Sequence, residues 1–191
     1  MTTSINEQIT IRETARRFAH EELAPLAREI DRDQRFPTEN WKRSAELGFL
    51  GVTAPEEFGG AGLGIAEMCI IGEELSAACH STAATVLHQA IMVVDSLVRN
   101  GTTAQQERYL PRLCDGSWVS CLAITEPGAG SDALGMRTTA KRVDDGWVIN
   151  GSKTFITNGP ECDMTMVYAK TGPLDSRDIG LFIVEASAPG F

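Results

Sequence analysis

Histidine is scarce in this 191-residue chain: His20, His80 and His88 are the three present, far apart in the sequence. No acid or cysteine accompanies them at ligand spacing, so nothing reads as a metal set and the histidines read as structural. The five cysteines, Cys69, Cys79, Cys114, Cys121 and Cys162, are odd in number and never form a C-x-x-C pair. That pattern fits neither a disulfide framework nor a zinc site, and they read as reduced and mostly structural. No run approaches the roughly 18 apolar residues of a membrane span. The opening MTTSINEQIT has neither a basic-then-apolar signal nor an arginine-rich transit pattern, so the expected location is cytoplasmic. Bases are also short, 17 against 26 acids, and the formal charge of −9 opposes non-specific binding to nucleic acid or anionic membrane. G-x-S-x-G is absent, which leaves a hydrolase reading without support.

What remains is a globular composition, 42% hydrophobic and 23% charged. The first part is helical in pattern. Ile5, Ile9, Phe18, Leu23, Leu26 and Ile30 share a face, and Pro25 is expected to split that stretch into two helices. Thr38 is a candidate cap for a short helix that stops at Gly48. Long alanine-rich stretches over 66–79 and 81–98 predict helices buried against other helices. Thr103 with Gln106 reads as a capping box for a helix ending near Pro111.

After Trp118 the texture changes to short β-branched and aromatic runs, VSCLAI, MRTTAKRV, GWVING, KTFITN, MTMVYAK and IGLFIVEA, with turn signals such as Asp145-Gly146 between them. The fold class is therefore α+β: an N-terminal all-α helical bundle domain over 1–117, then an antiparallel, barrel-like or sandwich β-domain over 118–191. The last strand runs into SAPGF, so the β-domain reads as truncated.

One stretch, CLAITEPGAGSDALG over Cys121–Gly135, carries the chemistry. A dinucleotide fingerprint needs G-x-G-x-x-G between strand and helix, and a P-loop needs Gly-Lys-Ser/Thr; this stretch has neither. Two readings stay open. It is a strand-to-strand turn in which glycines take conformations barred to other residues, or it is a row of small donors around Thr125, Gly128, Gly130 and Ser131 that a flat or extended ligand can approach.

TEPGAGSD at Thr125–Asp132, followed by INGSKTFITNGP at Ile149–Pro160, resembles the paired signature of the acyl-CoA dehydrogenase family. The resemblance runs the length of the chain, through APEEFGGAGLG, LVRNG and AQQERYLPRL in the family's order. It implies an FAD-dependent oxidoreductase that converts a saturated acyl-CoA to the trans-2-enoyl-CoA, with hydride transfer to flavin N5.

By resemblance Leu122, Ile124 and Thr125 face the isoalloxazine ring. Gly130 and Ser131 contact flavin phosphates or the coenzyme A arm, Ser131 serving the substrate as well. Phe155, Ile156 and Thr157 pack on the ring from a second strand, with the Thr157 hydroxyl near N5. Lys141, Arg142 and Lys153 read as solvated strand charges.

The resemblance places the catalytic base, and the four-helix domain that assembles the tetramer or dimer, beyond Phe191. It implies an electron-transferring flavoprotein as acceptor, and FITNGPECDMTMVYAKT looks most like the short-branched-chain members of the family. The alternatives are one half of a split or hetero-oligomeric dehydrogenase, a non-catalytic flavin or acyl-CoA-binding module, or a flavin oxygenase of the same fold.

Overall fold

The computed structural model describes residues 3–191. They form two compact units, one running to Val119 and one spanning Ser120–Phe191.

The first unit is helical. Ser4 caps α1 (Ile5–Phe18) in a reciprocal box: its hydroxyl accepts the Glu7 N–H at 3.3 Å, and the Glu7 carboxylate accepts the Ser4 N–H at 2.7 Å. Pro25 marks the restart of the helix that the sequence led one to expect, without a break in the chain. A π-helical turn over Ala19–Leu23 carries α1 directly into α2 (Ala24–Asp33). Proline lacks an N–H and its ring crowds the carbonyl four residues back; placed in the first turn of α2, after a widened turn, it loses little.

Helix α3 (Thr38–Glu46) begins at Thr38 without a side-chain cap, and Pro37 holds the cap position instead; Gly48 past its end is left-handed. α4 (Ile65–Ala78) follows. A continuous run from His80 to Asn100 then comprises α5 (His80–Leu87), a π-helical stretch His88–Asp95 and α6 (Ser96–Asn100). α7 (Thr103–Cys114) is capped by Thr102 with Gln105, one residue earlier than expected, and it continues through Pro111 for another turn.

These helices close on Phe18, Leu23, Ile30, Trp41, Met68 and Leu75, all buried. Most polar groups inside find partners, Thr53 Oγ1 being an exception: the Gln89 amide donates to the carbonyls of Leu113 at 2.7 Å and Trp118 at 3.2 Å, and the Trp41 indole donates to Gly116 O at 2.9 Å. Arg12 bridges α1 to α4 through Glu74 at 2.7 Å. By length and composition alone the 21-residue His80–Asn100 helix is long and apolar enough to cross a membrane. Its Thr82, Ala83, Val86, Gln89, Ala90, Val93 and Val94 are buried among the other helices, as in a core helix.

The second unit is one five-stranded sheet made of β1 (Ser120–Ala123), β2 (Thr139–Val143), β3 (Gly146–Asn150), β4 (Met164–Lys170) and β5 (Ile179–Glu185). β2 and β3 form a hairpin that closes Val143 on Gly146, so its loop is Asp144-Asp145 and Gly146 already belongs to a strand. β4 and β5 are antiparallel along their whole length.

The expectation of an antiparallel barrel or sandwich needs correction, because β1 runs parallel to β4, with Cys121 opposite Thr165 and Ala123 opposite Val167. β2 continues along the same edge of β4 through Thr139 opposite Lys170. A parallel pair requires a long crossover, and residues 124–163, which contain the hairpin, supply it.

KTFITN is the second correction: it is not a strand. Phe155 (φ 55°) and Asn158 (φ 65°) are left-handed, and a one-turn 3-10 helix, Gly159–Glu161, follows. Gly151 lies so close to Thr138 that a Cβ there would sit 2.3 Å from the Thr138 hydroxyl. The chain is thus turned out of the sheet at the end of β3.

Candidate functional site

The two motif segments meet immediately after β1. The Thr154 N–H donates to the Thr125 carbonyl at 2.9 Å, and the Lys153 ammonium donates to the Ile124 carbonyl at 2.9 Å and to Glu126 Oε1 at 2.9 Å. Glu126 is buried and saturated: its carboxylate also accepts the N–H groups of Arg137 at 2.7 Å and Thr138 at 2.9 Å. Burial by itself raises this carboxyl. Hydrogen bonds from the Arg137 and Thr138 N–H groups and from Lys153 outweigh that and hold it at about 2.

Sequence reasoning placed Lys153 in solvent; it is instead the tie between the motifs. The signal was there, since Lys153 is the one charge between Gly151 and Gly159, and Glu126 stands alone between Cys121 and Ala129.

Beyond Glu126 the loop turns tightly, Glu126 and Ala129 exchanging both backbone hydrogen bonds at 3.0 and 3.1 Å. Pro127 and Gly128 form the exposed tip. Neither Gly128 nor Gly130 has a left-handed φ, and a Cβ added to either would meet nothing within 4 Å. The turn therefore does not need glycine for its own conformation, contrary to the turn reading of this stretch. Smallness at these positions leaves an open backbone surface instead.

The eight residues singled out in the sequence fall into distinct places. Leu122 is buried in β1, and Ile124 and Thr125 are half-buried just past it. Gly130 and Ser131 are exposed beyond the tight turn. Phe155 is 93% exposed in its left-handed conformation, an arrangement unusual for an aromatic residue. Ile156 is half-buried, its carbonyl accepting the Gly159 N–H at 2.9 Å, and Thr157 is exposed.

A cavity of about 540 Å³ opens beside them, lined by Cys121, Ala123, Thr165 and Val167 from β1 and β4 and by Lys153–Ile156, Gly159, Pro160, Cys162 and Phe191. Phe155 and Ile156 reach it; Leu122, Ile124, Thr125, Gly130, Ser131 and Thr157 do not line it. Alternation along β1 explains part of this division, because Cys121 and Ala123 face one side of the strand and Leu122 the other. Among the described residues no cluster of three or more His, Cys, Asp or Glu side chains is arranged to hold a metal.

Comparison with known proteins bears on what this pairing of loops serves. The acyl-CoA dehydrogenase N-terminal domain family matches residues 5–117, and the acyl-CoA dehydrogenase middle domain family matches residues 121–191. The chain belongs to the acyl-CoA dehydrogenase family.

A curated acyl-CoA dehydrogenase relative, the mitochondrial isovaleryl-CoA dehydrogenase of Pongo abelii, is 43% identical over 190 residues, covering 97% of this chain and 45% of that protein. Butyryl-CoA dehydrogenase from Megasphaera elsdenii superposes with a TM-score of 0.90 at 31% identity, covering all of this chain and 51% of that one. PigA, solved with FAD and proline, gives a TM-score of 0.91 at 33% identity over 98% of this chain and 50% of that one. The chain thus spans about half the length of the acyl-CoA dehydrogenase relatives it matches.

Proposed function

We propose that this chain supplies the flavin- and acyl-CoA-binding part of an FAD-dependent acyl-CoA dehydrogenase. The observation that carries the reading is the locking of TEPGAGSD to KTFIT through Lys153 and Thr154, beside two glycines that the chain's own packing does not require. The residues fit the group. Open glycine backbone lets a phosphate or ring approach closely, and the exposed Phe155 offers an aromatic face with no ring stacked on it.

In this reading Leu122, Ile124 and Thr125 border the isoalloxazine ring. Gly130 and Ser131 hold flavin phosphates or the coenzyme A arm, and Phe155, Ile156 and Thr157 cover the ring from the second loop. The Thr157 hydroxyl is the candidate donor towards N5. Bound FAD would supply the acceptor for the β-hydrogen of a saturated acyl thioester as a carboxylate removes the α-proton. Glu126 is unsuited to be that base: a carboxyl held near 2 with its oxygens occupied by donors is a weak proton acceptor. The base is assigned to sequence beyond Phe191, as are the contacts of a tetramer or dimer. An electron-transferring flavoprotein as acceptor and a cytoplasmic location complete the proposal.

The family relatives favour a short or branched acyl group, so the test is a panel. The full-length protein, loaded with FAD under anaerobic conditions, is mixed with saturated acyl-CoAs of graded length and branching and its flavin absorbance followed. Bleaching by one or more thioesters, with the enoyl-CoA recovered, is the expected result; a flavin-loaded protein that no acyl-CoA bleaches would sink the proposal. A prolyl thioester belongs in the panel because the similar PigA binds FAD and proline; bleaching by it alone would move the substrate from acyl-CoA to an amino-acid-derived acyl group.

A further inference from the structure

We propose that Cys121 and Cys162 are a redox-active dithiol that closes to a disulfide when a hydroperoxide enters the cavity they line. The inference rests on the cavity and the two thiols, and stands whether or not the chain binds flavin.

Cys121 lies on β1 opposite Thr165 of β4, and Cys162 follows the turn Gly159–Glu161 just before β4 begins. Both residues line the 540 Å³ cavity although they are 41 apart in sequence. The thiols hydrogen-bond to each other, and the Thr165 hydroxyl also bonds to Cys121.

Their protons are unequally held. The hydrogen bond from Cys162, with help from Thr165 and against burial, lowers Cys121, while that same bond and burial push Cys162 up. Of the two, Cys121 is the readier to take the thiolate, nucleophilic form, and Cys162 the one that keeps its proton. Cys114, by contrast, is pushed up to about 11 by burial and the nearby Asp115.

The chemistry balances with a hydroperoxide as oxidant. The Cys121 thiolate attacks the terminal peroxide oxygen, the O–O bond breaks, and the departing oxygen takes a proton to leave as water or an alcohol, so Cys121 becomes a sulfenic acid. The Cys162 sulfur then attacks Cys121, the S–O bond breaks, and the leaving hydroxide departs with the Cys162 proton as water. Two electrons have passed from the two sulfurs to the peroxide, and a thiol reductant reverses the change. The bond would tie β1 to the segment that carries Phe155 and Ile156.

The full-length protein is treated with one equivalent of hydrogen peroxide, alkylated and digested. Expected are the loss of two free thiols per chain, a cross-linked peptide pair holding Cys121 and Cys162, and full recovery with dithiothreitol. Cys162→Ser should stop at a Cys121 sulfenic acid that a dimedone probe captures. Cys121 and Cys162 remaining fully alkylated after peroxide, or oxidation confined to the exposed Cys69, would overturn the proposal. Mass mapping of the unmutated protein decides even if the variant does not fold.

Discussion

Lys153 and Glu126 each occupy a buried place that only the other makes tolerable. Lys153→Met keeps most of the side-chain bulk but leaves Glu126 with backbone donors alone, and removing one partner of a buried pair costs about 3 kcal/mol. A denaturant titration should show that loss, while Lys141→Met on the exposed part of β2 should change stability by less than about 0.5 kcal/mol. The pair also makes an acid-sensitivity prediction. Glu126 titrates near 2 in the folded chain and near about 4.3 when unfolded, so its contribution is complete above the higher value and is lost as pH falls towards the lower. The melting temperature should drop across that window in the native sequence, and the part due to this group should vanish in Glu126→Gln. An unchanged acid profile in Glu126→Gln would show that the carboxylate is not held as described.

At the scale of elements, the glycines divide into those the chain needs and those it does not. Gly151→Ala would drive a methyl to 2.3–2.7 Å from Thr138, at the point where β3 gives way to the KTFIT loop, and should cost roughly 1–3 kcal/mol. Gly130→Ala meets nothing and should leave the melting temperature unchanged while weakening FAD binding, measured by fluorescence titration of the flavin. Equal FAD affinity in Gly130→Ala would remove that glycine from the proposed site. The loop itself shows where strand propensity misleads. Thr154, Phe155 and Ile156 are good strand formers, yet the hydrogen bond of Thr154 goes to Thr125 and not into a ladder, and the next residue turns left-handed. The competing force is tertiary: Lys153 must reach Ile124 and Glu126, and an extended continuation of β3 would carry it away.

For the whole molecule, the net charge of −9 and the apolar helix His80–Asn100 pull expectations in different directions. Gln89, fully buried on that helix, donates to carbonyls at the end of α7 and beyond it, a role that belongs to a protein interior. The protein should therefore partition into the aqueous phase in a detergent phase-separation assay. Recovery in the detergent phase would mean that this helix meets lipid.

Sequence alone determined the helical-then-strand order, because period and composition change sharply at Trp118, and it determined the family, because two motifs recur in the right order at the right distance. The positions of caps, of the π turn before Pro25 and of the two-residue hairpin loop lay within a residue or two of the sequence signals, since those signals are local. What only the tertiary structure decided is non-local. The parallel pairing of β1 with β4, the burial of Lys153 against Glu126 and the meeting of Cys121 with Cys162 each depend on a crossover of about forty residues that no local pattern encodes. The charge state of Glu126 follows from which groups that crossover brings together, and so it became readable only in three dimensions.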